Sequence, residues 1–61
     1  MDLMVRKIKI FACFQDVSAL EVEINDWLSE NPSIRIIQML QSELNTQQGW
    51  HLIITVFYET G

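Results

Sequence analysis

The chain has 61 residues, 49% of them hydrophobic, a composition typical of an ordered domain that excludes a disordered tail. Its net charge of -4 repels phosphates and anionic headgroups, so we expect no nucleic-acid or membrane partner. A single cysteine and a single histidine exclude an internal disulfide and argue against a metal site. We predict one domain, residues 1–61. So small a domain buries only about 60% of its unfolded surface, so it needs reinforcement, which self-association can supply.

The segment 5–14 alternates in the two-residue period of a strand. One face carries Ile8, Ile10, Ala12 and Phe14, and the other carries Lys7, Lys9, Phe11 and Cys13. Two lysines on one face are typical of an edge strand. The N-terminal stretch "MDLMVRKIKIFACF" predicts neither a signal peptide nor a membrane span, because Arg6, Lys7 and Lys9 interrupt its apolar residues.

A helix is predicted next, from a capping signal. Ser18 as N-cap with Glu21 three residues later forms a capping box, and Val17 with Val22 matches a hydrophobic staple. The predicted buried stripe consists of Leu20, Ile24, Trp27 and Leu28. Pro32 ends the helix, because the residue before a proline avoids the helical conformation.

The rest of the chain predicts a long hairpin, "SIRIIQMLQSEL" and "WHLIITVFYE", joined by "NTQQG" with Gly49 at a positive φ. A register with Leu44 opposite Trp50 also places Arg35 against Glu59 and Glu43 against His51. In that register Ile34, Ile36, Leu40 and Leu44 face the helix. Gln38 then points toward the helix too, so it needs a partner or marks a β-bulge.

These elements predict an α+β fold of order β-α-β-β, in which one helix packs on a three-stranded sheet. The third strand is apolar on both sides, so we place it centrally, giving an antiparallel sheet of order 1-3-2. A parallel 1-2-3 order with a right-handed crossover is the competing topology.

The sheet is apolar on both faces, although a sheet with one face in water should alternate apolar and polar residues. The face away from the helix is predicted to carry an oligomer interface formed by Phe11, Cys13, Ile37, Met39, Ile53 and Phe57. An apolar centre with a charged rim is typical of protein interfaces. We therefore predict a homo-oligomer, packed sheet to sheet or as a ring with these faces inward. Shielding of these residues by the termini or by sheet curling is the alternative.

Cys13, His51 and Glu43 would project from the same face in this register, which raises the possibility of a nucleophile, base and orienting carboxylate. Free cysteines more often behave as small buried hydrophobes, and no nucleophile elbow accompanies this one. We therefore predict a protein that is not an enzyme, with no catalytic, metal or cofactor residues. The lone thiol suits a reducing cytoplasm.

The segments "LEVEINDWL", "IRIIQMLQS" and "IITVFYE" resemble a small sporulation-associated protein family of bacilli, which has no established biochemical activity. The order of strand, helix and hairpin also resembles dodecins, small flavin-storing proteins that assemble twelve chains into a shell. The first resemblance implies a bacterial protein and the second implies flavin as a ligand. The predicted function is a self-associating structural or protein-interaction module. The alternative is an oligomeric carrier of a flavin-like ligand, in a pocket lined by Phe11, Met39, Phe57 and Trp50.

Overall fold

A computed structural model describes residues 4–61. Its elements are β1 (Val5–Phe14), α1 (Val17–Glu30), β2 (Arg35–Thr46) and β3 (Gly49–Thr60). The strands form one sheet of order β1-β3-β2, with both neighbouring pairs antiparallel. The α+β prediction with strand order 1-3-2 is confirmed, and the competing parallel topology is wrong.

Helix α1 begins one residue after Asp16, which is its N-cap. The Asp16 carboxylate accepts a hydrogen bond from the Ala19 backbone N–H at 3.0 Å, which satisfies one of the free donors of the first turn. The prediction that Ser18 caps the helix is therefore wrong, because Ser18 already lies inside it. The Asp16 carboxylate, two positions before Ser18, caps the helix in its place.

The helix ends as predicted, just before Pro32. Asn31 is the C-cap, and its backbone N–H donates to the Leu28 carbonyl oxygen. Its side-chain amide also donates to the Trp27 carbonyl at 2.8 Å. Two carbonyls of the last turn are satisfied by one residue, which defines the end of the helix.

Two positive φ angles position the chain around the start of β3. Gly49 has φ +144°, and a Cβ added there would collide with the side chains of Gln15 and Phe14. Gln15 itself has φ +54°, and its backbone N–H donates to the Trp50 carbonyl at 3.2 Å. Glycine is therefore needed at position 49 both for its backbone conformation and for the close approach of the β1–α1 connection.

The register of the β2–β3 hairpin shifts once along β2. Arg35 lies opposite Glu59, as predicted. One extra residue precedes Gln38, and beyond it the pairing is displaced by one, so that Leu44 lies opposite His51. The polar side chain of Gln38 predicted either a partner or a β-bulge, and the bulge is confirmed. Since side chains alternate between faces, every β2 residue after the bulge lies on the face opposite to the predicted one.

Two predicted cross-strand pairs are consequently wrong. Glu43 lies opposite Leu52, not His51, and Trp50 lies opposite Asn45. Both errors have one cause: the predicted register contained no bulge, so its pairs beyond Gln38 are displaced by one residue.

The core lies between α1 and the strands β1 and β3. Its buried members are Phe11, Leu20, Leu52 and Val56. The Phe11 ring meets the Trp27 ring edge to face at a centroid distance of 5.5 Å, and Trp27 meets Tyr58 in the same way at 5.1 Å. The helix therefore covers β1 and β3, while every residue of β2 stays exposed.

Candidate self-association surface

The side of the sheet away from α1 is the candidate functional surface, and we call it the second face. Residues directly opposite in an antiparallel pair share a face, so the register defines its members. They are Arg6, Ile8, Ile10, Ala12 and Phe14 of β1, Arg35, Gln38, Leu40, Ser42, Leu44 and Thr46 of β2, and His51, Ile53, Thr55, Phe57 and Glu59 of β3.

Large apolar side chains on the second face are open to solvent. Ile10 is 61% exposed, Ile8 59% and Leu44 55%, and about half of Leu40 and Phe14 is exposed as well. No element within residues 4–61 packs over this face, because the only helix described there lies on the other side. Exposed apolar side chains grouped on one face make it the candidate interaction surface.

The structure separates the six residues predicted to form the oligomer interface. Ile53 and Phe57 lie on the second face. Ile37 is the extra residue of the bulge and lines a groove with Phe57. The placement of Ile53 and Phe57 on the second face agrees with the prediction, whereas Ile37 has no partner in the register that would assign it to a face.

The other three predicted interface residues face the helix side. Phe11 is 1% exposed within the core, and Cys13 packs against that core. Met39 lies opposite the buried Val56. Phe11 was misplaced because both sides of β1 carry apolar residues, so alternation alone does not show which side the helix covers. Met39 was misplaced by the bulge.

Charged groups lie at one end of the second face. The Arg6 side chain pairs with the Glu59 carboxylate at 3.2 Å, and Arg35 is the β2 neighbour of the same glutamate. Glu59 is the more buried partner, with 11% of its side chain exposed against 80% for Arg6. Two arginines beside one carboxylate give this end a positive charge.

A groove of about 300 Å³ lies beside these charges. Its apolar lining includes Ile8, Ile37 and Phe57, and Arg6 lies among its polar lining residues. The volume is at the lower end of the range for small-ligand sites. The predicted carrier pocket is wrong, since Phe11 and Trp50 pack with the core on the helix side while Phe57 faces the other way.

The three candidate catalytic side chains do not converge. Cys13 and Glu43 both lie opposite Leu52 and project on the helix side. His51 projects on the second face, where its ring packs against Phe14 at a centroid distance of 4.9 Å. The predicted shared face is therefore wrong. Among residues 4–61, no three histidine, cysteine or acidic side chains come close enough to hold a metal ion.

The two edges of the sheet differ in charge. The edge strand β1 carries Arg6, Lys7 and Lys9, and the ammonium group of Lys9 lies 5.4 Å from the centre of the Phe11 ring. The edge strand β2 carries only Arg35 and Glu43 as charged residues over twelve positions. Cations protect an edge from pairing with another chain, so β2 is the less protected edge.

Comparisons of this chain with protein-family models, curated proteins and solved structures found no match. In the part of the chain that the structure describes, no helix is long and apolar enough to cross a membrane.

Proposed function

We propose that this protein is a self-associating structural or protein-interaction module of the cytoplasm, with the second face buried between copies of the chain. The observation that carries the proposal is the exposure of Ile8, Ile10, Leu40 and Leu44 on a face that no described element covers. The cytoplasm is proposed because Cys13 is a free thiol.

The small core supports self-association. Only four large hydrophobic side chains are buried among residues 4–61, whereas at least six on or beside the second face are half or nearly half exposed: Ile8, Ile10, Phe14, Ile37, Leu40 and Leu44. At about 1.5–3 kcal/mol for each large apolar side chain fully removed from water, covering the exposed parts of these six would contribute about 5–10 kcal/mol, compared with about 6–12 kcal/mol for the four buried side chains. A second copy offers an identical apolar face to cover it.

The size of the accessible surface also supports this proposal. The chain exposes 4853 Å², whereas a compact monomer of its mass exposes about 4100 Å². The radius of gyration is 13.7 Å, whereas a compact domain of this length has about 10.5 Å. The surplus surface is comparable to the area of about 800 Å² that each partner buries in a standard interface.

The groove beside Arg6 supports a second candidate function, an oligomeric carrier of a small apolar ligand. The aromatic residues that line this groove are Phe57 and Tyr58, and Tyr58 packs against Trp27 on the helix side, so a flavin-like ring in this groove would stack on Phe57. Titration with riboflavin tests this candidate. Saturable binding that Phe57→Ala weakens and that the helix variant Val22→Ala leaves unchanged supports the carrier. Equal responses of both variants contradict it.

Self-association itself is tested by sedimentation equilibrium of the wild-type chain and of Leu44→Lys. Leu44 is 55% exposed, so a lysine there is tolerated in a single chain and disfavoured in a buried interface. We expect the wild type to sediment as an oligomer and Leu44→Lys to sediment as a smaller species with unchanged helix content. The matched control is Leu28→Lys on the helix, at a leucine 39% exposed. A wild type that stays monomeric at micromolar concentration contradicts the proposal.

A further inference from the structure

We propose that the β2 strands of two copies pair antiparallel about a two-fold axis at Ser42, joining two three-stranded sheets into one of six strands. This inference rests on the proposed self-association and adds a particular edge, register and symmetry to it. The occupant of the β2 edge is a second copy of this chain.

The first argument is the contrast between the two edges. An edge strand leaves a row of backbone N–H and C=O groups unpaired, and natural sheets protect such edges with charges, prolines or bulges. β1 has three cations in its first half. β2 has no proline, its one bulge lies before Gln38, and from Gln38 to Thr46 its only charged residue is Glu43.

The second argument is the length of regular strand that the bulge leaves available. The bulge interrupts β2 before Gln38, and β2 ends at Thr46. A bulge disturbs strand pairing locally, so the regular stretch runs from position 38 to position 46. Its midpoint is Ser42. Two identical stretches that pair over their full length therefore have the two-fold axis at this residue.

The third argument is the chemistry of the pairs that this register creates. Leu40 of each copy lies opposite Leu44 of the other, which places two leucine pairs on the second face. Gln41 lies opposite Glu43, so an amide that can donate a hydrogen bond meets each carboxylate. No charge faces a like charge. The pairs agree with the known preferences of opposite residues in antiparallel sheets.

Two neighbouring registers also place the second faces of both copies on the same side of the joined sheet, but their residue pairs are less favourable. Moving the axis to Glu43 places the two carboxylates directly against each other, which is destabilising. Moving it to Gln41 shortens the paired stretch and places Leu40 against Ser42 and Leu44 against Gln38. Only the axis at Ser42 uses the whole regular stretch and pairs leucine with leucine.

This pairing also explains where the assembly stops. The joined sheet has a β1 strand at each end, and the cations of both copies then protect its two remaining edges. The second faces of the two copies become one continuous apolar surface. Packing of two such sheets face to face would give a closed tetramer that uses both contacts.

A charge series at Gln41 tests the register. Gln41 lies opposite Ile54 on the helix side, so substitutions there leave the second face unchanged. In the proposed dimer, position 41 of each copy lies opposite Glu43 of the other. Gln41→Glu therefore creates two pairs of like charges, whereas Gln41→Lys creates two pairs of opposite charges. We expect the dissociation constant of the β2 contact to rise about 2- to 30-fold for Gln41→Glu and to fall for Gln41→Lys. The double variant Gln41→Glu with Glu43→Lys should restore association.

Disulfide formation between two different variants gives an independent readout. In a Cys13→Ser background, we expect Gln41→Cys mixed with Glu43→Cys to form a cross-linked heterodimer under mild oxidation. Each variant alone should give little dimer, because position 41 meets position 43 and not itself. Both positions lie on the helix side, so packing through the second face does not bring them together. A mixture that cross-links no more than its components overturns the register.

These results separate the failure of this inference from the failure of self-association. A wild-type monomer contradicts both proposals. A wild-type oligomer that is insensitive to the charge series contradicts β2 pairing and leaves packing of the second face in place.

Discussion

Replacement of Ile10 by glutamate tests the contribution of the second face to assembly. Ile10 is 61% exposed and lies opposite Thr55 at the centre of β1. In a single chain the new carboxylate stays in water, so we expect the fold to tolerate the change. In an assembly that buries this face, two carboxylates would have to leave water.

The size of the effect follows from the exposed fraction. Complete burial of an isoleucine side chain contributes about 1.5–3 kcal/mol, and the 61% of Ile10 that remains exposed corresponds to roughly 1–2 kcal/mol per copy. For two copies the apolar part alone is about 2–4 kcal/mol, or roughly 30- to 1000-fold in the dissociation constant. Desolvation of the carboxylates adds to this loss, so we expect monomers at concentrations where the wild type is assembled.

Val22 provides the matched control. It is 59% exposed and lies on α1, away from the second face. Val22→Glu makes the same change of charge at a similar exposure, so we expect its sedimentation to equal that of the wild type. Circular dichroism checks that both variants keep their helix and strand content. Equal dissociation constants for Ile10→Glu and Val22→Glu would refute the argument.

Three further predictions concern the folded chain itself. Asp16→Ala should lower the free energy of unfolding by about 1 kcal/mol through loss of the N-cap, whereas Ser18→Ala should change it by less than about 0.5 kcal/mol; urea titration measures both. Gly49→Ala should cost more than about 1 kcal/mol, because it strains a positive φ and displaces Gln15; an unchanged melting temperature would contradict this account of the turn. Phe11→Ala should cost about 3–5 kcal/mol and unfold the chain, since Phe11 belongs to the core; a folded variant with impaired assembly would instead place Phe11 in the interface.

The topology of this protein can be predicted from the sequence because its signals are local. The alternation in β1, the apolar stripe of α1 and the two long apolar segments of the hairpin each indicate one element. The apolar character of β3 on both sides indicates its central position, and Leu52 and Val56 are the buried residues of this strand. Because β3 is apolar on both sides, the sequence also predicts that one helix cannot bury the apolar residues on both faces of the sheet.

The faces of β1 and β2 could not be predicted in the same way. In β1 both faces carry apolar residues, and the choice depends on the fit of Phe11 against Trp27, which is a contact between distant parts of the chain. In β2 one extra residue exchanges the faces of Leu40 and Met39. The polar side chain of Gln38 indicates that bulge, but the cross-strand charge pairs favour a continuous register, which contains none.

Native mass spectrometry of the wild-type chain at micromolar concentration tests the central claim most directly. We predict a multiple of the 7.2 kDa chain mass, with an even number of copies if β2 strands pair about a two-fold axis. The same spectrum reports any small molecule bound in the groove. A single species at the monomer mass, from a sample that is folded and stable, would contradict the account.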